Sequence, residues 1–171
     1  MKQLKATFIT LLLTVFALSA AAQMQDPVHF SVSQKKTAPD EIEVIFTAKI
    51  DAGWHVYSTG MPSGGPTSAT IHTDATEGVK AVGSLTPRGN VITKYDNMFG
   101  MNLRFFENRA TFVQKYKITA KTYHVKGYLE YGACNDEMCM PPTQVEFDFK
   151  GQGPADAPEA AEEEAKEDTA G

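Results

Sequence analysis

Along EIEVIFTAKI the apolar residues Ile42, Val44, Phe46, Ala48 and Ile50 fall on one face, while Glu41, Glu43, Thr47 and Lys49 fall mostly on the other. The period is two, which predicts a strand with one buried face. Similar short runs recur as VHFSVSQ, WHVYS, TSATIHT, GVKAVGSL, RATFVQKYKI, YHVKGYLEYGA and TQVEFDF. Turn signals such as DAG, MPSGGP, TPRGN and ENRA separate them, and neither an amphipathic helix nor an internal repeat stands out. Strands at this spacing predict an all-β chain folded as an immunoglobulin-like antiparallel β-sandwich. Trp54 and the Tyr and Phe residues of the strands are its expected core filling.

The two ends read differently. MKQLKATFITLLLTVFALSAAAQ places Lys2 and Lys5 before an apolar run and ends it on Ala20, Ala21 and Ala22. That is the layout of a cleavable secretory signal over residues 1–22, too short and wrongly flanked for a stable membrane span. Export to the periplasm of a bacterium is expected, with secretion beyond it as the lesser alternative, and no membrane insertion of the mature chain. Residues 151–171 hold seven acidic residues against one lysine and no large apolar residue, so a disordered solvating tail is expected there. The formal charge of -5 belongs largely to that tail. Residues 23–150 form one domain by size, and their scattered Lys and Arg argue against a nucleic-acid partner.

Chemistry concentrates in YGACNDEMCMPPTQ, residues 131–144, which holds the only cysteines, Cys134 and Cys139. They are too close in sequence to be the bond that joins the two sheets of an antibody-type domain. An exported protein oxidises its thiols, so one reading is a structural staple in a β-sandwich whose role is to bind another protein. A closed loop of about six residues is stabilised by only roughly 2 kcal/mol, against about 4.7 for a loop of about 100. A second reading is a soft copper site built from thiolate and the thioethers of Met98, Met101, Met138 and Met140. His29, His55, His72 and His124 are scattered singly and do not complete a zinc ligand set. The third and leading reading is a dithiol that cycles with its disulfide, in which the second sulfur resolves a mixed disulfide formed by the first. Such a centre needs no organic cofactor, because the redox-active disulfide holds the two electrons. Hydrolytic motifs are missing: there is no nucleophile elbow and no metalloprotease helix signature.

The approach Tyr131-Gly132-Ala133-Cys134, the second cysteine with Pro141-Pro142 after it, and the strand TQVEFDF resemble the N-terminal domain of the DsbD family of thiol:disulfide interchange proteins, also called disulfide bond corrector domains. YDNMFG, residues 95–100, resembles that family's cap loop, and GWHVYS its early strand, so the likeness spans about Val28 to Phe149. It implies a module of a protein-disulfide reductase system. Electrons would come from a membrane-embedded or thioredoxin-like thiol-disulfide protein and pass to oxidised periplasmic proteins. It also implies that Cys139 joins the partner and Cys134 resolves, that Asp96 tunes the cysteines, and that Met98 and Phe99 shield them. Two departures stand out: the family places five residues between the cysteines where this chain has four, and Met98 replaces an aromatic of the cap. The family protein also continues into a membrane domain and a thioredoxin-like domain, so the donor here is expected to be a separate molecule.

Asp136 and Glu137 lie between the two cysteines, and Lys126 and Lys150 are the nearest cations along the chain. Negative neighbours disfavour a thiolate. Both thiols of the reduced protein are therefore expected to titrate at or above the ordinary cysteine value of about 8.5. Ultraviolet thiolate absorbance against pH checks this, and a thiol well below that value overturns it.

Overall fold

A computed structural model describes residues 26–160. The expected signal peptide, residues 1–22, lies outside the described residues. The strands run in chain order as β1 (Val28–Ala38), β2 (Glu41–Ile50), β3 (His55–Tyr57), β4 (Thr70–Glu77), β5 (Val79–Arg88), β6 (Ile92–Asp96), β7 (Met101–Phe106), β8 (Arg109–Ile118), β9 (Thr122–Tyr131), β10 (Ala133–Cys134) and β11 (Thr143–Gln152). Among the described residues there is no helix, and every strand pairing is antiparallel. The sheets run in the orders β1-β2-β8-β5, β11-β9-β4 and β10-β3-β7-β6.

Register puts the apolar face of each strand inward. Phe46 of β2 lies opposite Val32 of β1 and Phe112 of β8. Its ring meets Phe147 of β11 edge-on at 5.6 Å, and Phe30 of β1 meets Tyr131 of β9 at 4.8 Å. These pairs seal the first sheet against the second. Phe106 of β7 packs on Phe112 at 5.6 Å and brings the third sheet onto the same core. Trp54 is buried in that core, as the sequence predicts. A smaller cluster of Tyr57, Leu103, Phe105 and Cys134 sits beside it, with Phe99 and Met101 packed against it.

Three departures from the sequence reading are physical. Glu43 lies on the outer face of β2 yet is buried, because Arg88 of β5 reaches its Oε1 at 2.8 Å and Lys115 of β8 stands at 3.9 Å. The segment around YDNMFG is a hairpin of β6 and β7, where the pattern had suggested only a loop. The third concerns the expected tail, of which residues 161–171 lie outside the described residues. Residues 151–160 are held: β11 pairs with β9 through Gln152, the Gly153 N–H donates to the Lys121 carbonyl at 2.8 Å, and the Lys121 N–H donates to the Pro158 carbonyl at 2.8 Å. A side chain at Gly151 would collide with the Tyr123 ring, so this stretch needs its glycine. Backbone pairing orders these residues although they bring little apolar surface.

Phe46→Ala removes the ring that joins the sheets and is expected to lower unfolding stability by about 3–5 kcal/mol, read by urea denaturation. A loss under about 1 kcal/mol would mean that the two sheets do not depend on this contact.

Candidate redox site

The site is built where β9 runs on into β10. Gly132 joins them, and its carbonyl accepts the Tyr57 N–H at 3.1 Å. A Cβ at position 132 would lie 2.9 Å from the Thr67 carbonyl oxygen, so glycine lets that loop close in. In the β10–β3 pairing Ala133 faces Val56 and Cys134 faces His55.

Beyond Cys134 the chain reverses through an Asn-based turn. Asn135 Oδ1 accepts the N–H groups of Glu137 at 2.9 Å and Met138 at 2.8 Å. The Asn135 N–H donates to the Met138 carbonyl, and the Met140 N–H donates to the Ala133 carbonyl, both at 2.9 Å. This is the local chemistry for which Asn is favoured in turns. It lays Cys139 beside Cys134, with Cα atoms 4.0 Å apart and a disulfide between them. The two halves differ: Cys134 is 4% exposed within the smaller apolar cluster, while Cys139 is exposed.

The β6–β7 turn forms the facing wall. Asp96 Oδ1 accepts the N–H groups of Met98 at 2.8 Å and Phe99 at 3.0 Å, and the Gly100 N–H donates to the Asp96 carbonyl at 2.8 Å. Gly100 takes the left-handed conformation that closes the turn, at φ 65°. Phe99 packs against the cluster that holds Cys134 and meets Tyr57 edge-on at 6.5 Å. Met98 is 66% exposed. Cap and disulfide loop border a cleft of about 290 Å³.

Of the residues singled out in the sequence, Asp96, Met98, Phe99, Cys134, Asp136 and Cys139 all line this cleft. Glu137 is exposed and stands outside its wall. The Asp96 carboxylate accepts from the turn's own backbone and not from a cysteine-loop residue. Among the thioethers weighed for copper, Met140 packs against the main core and Met101 against the smaller cluster, while Met98 and Met138 are exposed.

Sequence reasoning missed His55, Tyr57 and Asn135. His55 Nε2 and the Tyr57 hydroxyl are 3.1 Å apart, and the imidazole lies 4.7 Å from the Phe105 ring. Burial, aided by the Asp96 carboxylate, pushes the Tyr57 phenol up to about 12. Burial lowers the His55 pKa, opposed by the charges of Asp96, Glu107 and Asp136. Strand alternation in HVY was the available signal, since it sets His55 and Tyr57 on one face with Val56 on the other.

The family described as "Thiol:disulfide interchange protein DsbD, N-terminal" matches residues 20–151. The chain belongs to this family. Among solved structures, the N-terminal periplasmic domain of ScsB from Proteus mirabilis is similar at a TM-score of 0.54 and 13% identity, over 75% of this chain and 48% of that one. The chain thus spans about half the length of that structure. The N-terminal domain of DsbD from Neisseria meningitidis, in the reduced form, aligns at a TM-score of 0.42 and 24% identity over 72% of this chain and 86% of that one. A search of the curated proteins gives no match. Membership of the DsbD N-terminal family and a disulfide lining a cleft support a thiol-disulfide interchange module. Among the described residues no helix is long and apolar enough to cross a membrane.

If Asp96 holds the cap, Asp96→Ala loses about 1–2 kcal/mol of its closure. The disulfide should then react with a small thiol roughly five- to thirtyfold faster. Asp96→Asn keeps an acceptor oxygen for the turn but loses the charge, so its rate should fall between those of the parent and Asp96→Ala. Equal rates in Asp96→Ala and the parent would show that the turn does not gate the sulfurs.

Proposed function

We propose that the domain is a periplasmic carrier of two electrons, taking them from a membrane-embedded or thioredoxin-like dithiol and giving them to oxidised exported proteins through Cys134 and Cys139. The observation that carries this reading is the asymmetry of the disulfide along the cleft wall, with Cys139 exposed and Cys134 buried. The reading of residues 1–22 as a cleaved signal supports a location outside the cytoplasm, where disulfides form.

A donor thiolate attacks Cys139 Sγ, the accessible sulfur. The Cys134–Cys139 bond breaks, Cys134 leaves with the electron pair and takes up a proton, and a mixed disulfide joins donor to Cys139. The donor's second thiol then attacks its own sulfur in that bond, so the donor is oxidised to a disulfide and Cys139 is released. Toward a substrate the order reverses. Cys139 attacks the substrate disulfide, and Cys134 attacks Cys139 Sγ to restore the internal bond and free the reduced substrate. The sulfurs carry both electrons, so no organic cofactor or metal takes part. Between encounters Phe99 covers the buried sulfur and Met98 presents a thioether to the partner that displaces the cap. Asp136, with Asp96, keeps negative charge at the cleft and holds the thiols from becoming thiolates prematurely.

Cys134→Ser leaves the exposed nucleophile with no resolving thiol, so it should accumulate a covalent adduct with an exported protein that dithiothreitol releases. Cys139→Ser should accumulate at least about tenfold less, because attack on or by a buried sulfur is slow. The reduction potential of the parent protein should fall within roughly -120 to -270 mV. A potential below about -300 mV, together with no adduct from either variant, would make the bond a staple and end this reading.

A further inference from the structure

The exchange cycle just described has a proton to manage at a place that water reaches poorly. Cys134 is 4% exposed, and it shares a buried hydrophobic cluster with Tyr57, Leu103 and Phe105. A thiol in such surroundings is held protonated. Yet to resolve a mixed disulfide it must attack as the thiolate. Some group next to Cys134 has to take the proton.

The cleft offers few candidates. Tyr57 is a poor base, since its phenol keeps its proton until a pH of about 12. Asp96 Oδ1 is engaged by the Met98 and Phe99 N–H groups. Asp136 of the loop and Glu107 after β7 also line the cleft, but both are exposed, on its solvent side. His55 remains, and strand register places it directly across from Cys134. Residues opposite each other in an antiparallel pair share a face and have Cβ atoms about 4.5–5.5 Å apart. Both residues line the same cleft.

The geometry points to His55 as the general base that takes the Cys134 proton during resolution of the mixed disulfide, with Tyr57 as the positioning residue that fixes its ring. This inference rests on the exchange reading above. In it the Nε2–H is donated to the Tyr57 hydroxyl oxygen, 3.1 Å away, which leaves the Nδ1 lone pair open to the thiol. Packing on Phe105 at 4.7 Å holds the plane of the imidazole. As the proton moves to Nδ1, the Cys134 electron pair forms a bond to Cys139 Sγ. The bond from Cys139 to the partner sulfur breaks, and the leaving partner thiolate takes the proton from the imidazolium. Atoms and charge balance without another reactant. Burial favours the neutral imidazole, the form a base needs, and Asp96 of β6, Glu107 after β7 and Asp136 of the loop oppose it, while Lys94 of β6 acts with burial.

The closing step can be watched alone. Reduced protein mixed with dithiobis-nitrobenzoate releases one thionitrobenzoate when Cys139 is modified and a second when Cys134 closes the internal disulfide. The second release in the parent protein should slow as pH falls, with an inflection below about 6.5 that matches the His55 titration followed by NMR. His55→Gln should close about 100-fold more slowly at pH 7, with a rate that climbs about tenfold per pH unit toward the thiol range. Free imidazole should restore part of the rate to His55→Ala, which a purely structural histidine would not allow. Closure by His55→Gln at the parent rate and pH profile overturns the inference and leaves the exchange reading intact. Should the variants fail to fold, the parent's two titrations decide, since an inflection that does not coincide with His55 overturns it equally. A parent protein that releases only one thionitrobenzoate overturns the exchange reading, and this inference falls with it.

Discussion

Two residue pairs, Ala133 with Val56 and Cys134 with His55, hold β10 against β3, and the rest of the site depends on them. β3 is fixed in turn by β7, through Val56 with Phe106 and Tyr57 with Phe105. The short ladder therefore sets Cys134 into an apolar cluster, aligns His55 beside it and leaves Cys139 to emerge on the far side of a turn. A sulfur pair held on one flexible loop would expose both atoms alike. Anchoring one member in a sheet while the other sits in a loop is what makes the two chemically different.

The cleft is bounded by two turns of the same physical kind. Asn135 collects the N–H groups of residues 137 and 138, and Asp96 collects those of residues 98 and 99. Each turn is held by bonds within a few residues, so each can open without unfolding the sheet beneath it. Segments with little buried apolar surface and solvent-facing backbone bonds occupy the low end of local stability. Here they are the two turns that border the cleft. The scaffold under them is the opposite case, with Phe46, Phe112 and Phe106 fully buried across the layers.

The electrostatics follow from the same layout. Asp96, Glu107 and Asp136 ring a half-buried imidazole and an apolar sulfur cluster, with Lys94 the cation on that wall. Thioredoxin-like centres use cations or a helix N-terminus to favour the thiolate. This domain has sheet on one side, acids on the other and no helix among the described residues. Its sulfurs lie among acidic groups and apolar side chains instead.

Much of this was legible from the chain alone. Alternation in EIEVIFTAKI and RATFVQKYKI identified the central strands because a two-sided pleat needs nothing beyond local order to be recognised. The cysteine loop stood out in the sequence because two cysteines with only four residues between them gain little as a staple, and the resemblance of YDNMFG to the family's cap loop pointed to Asp96 and Phe99, which line the cleft. The β6–β7 hairpin was harder, although Met101, Leu103 and Phe105 alternate, because the turn signals around it dominate so short a run. Burial of Glu43 depends on Arg88, 45 residues away, and the ordering of residues 151–160 depends on β9 and Lys121. Which cysteine is buried, and that His55 faces it, follow from β3 pairing with a segment nearly 80 residues later in the chain. Local sequence determines what a residue can do chemically and which way a strand alternates. Only the tertiary pairing of distant strands decides which side chains meet, because that register is set by the packing of whole sheets.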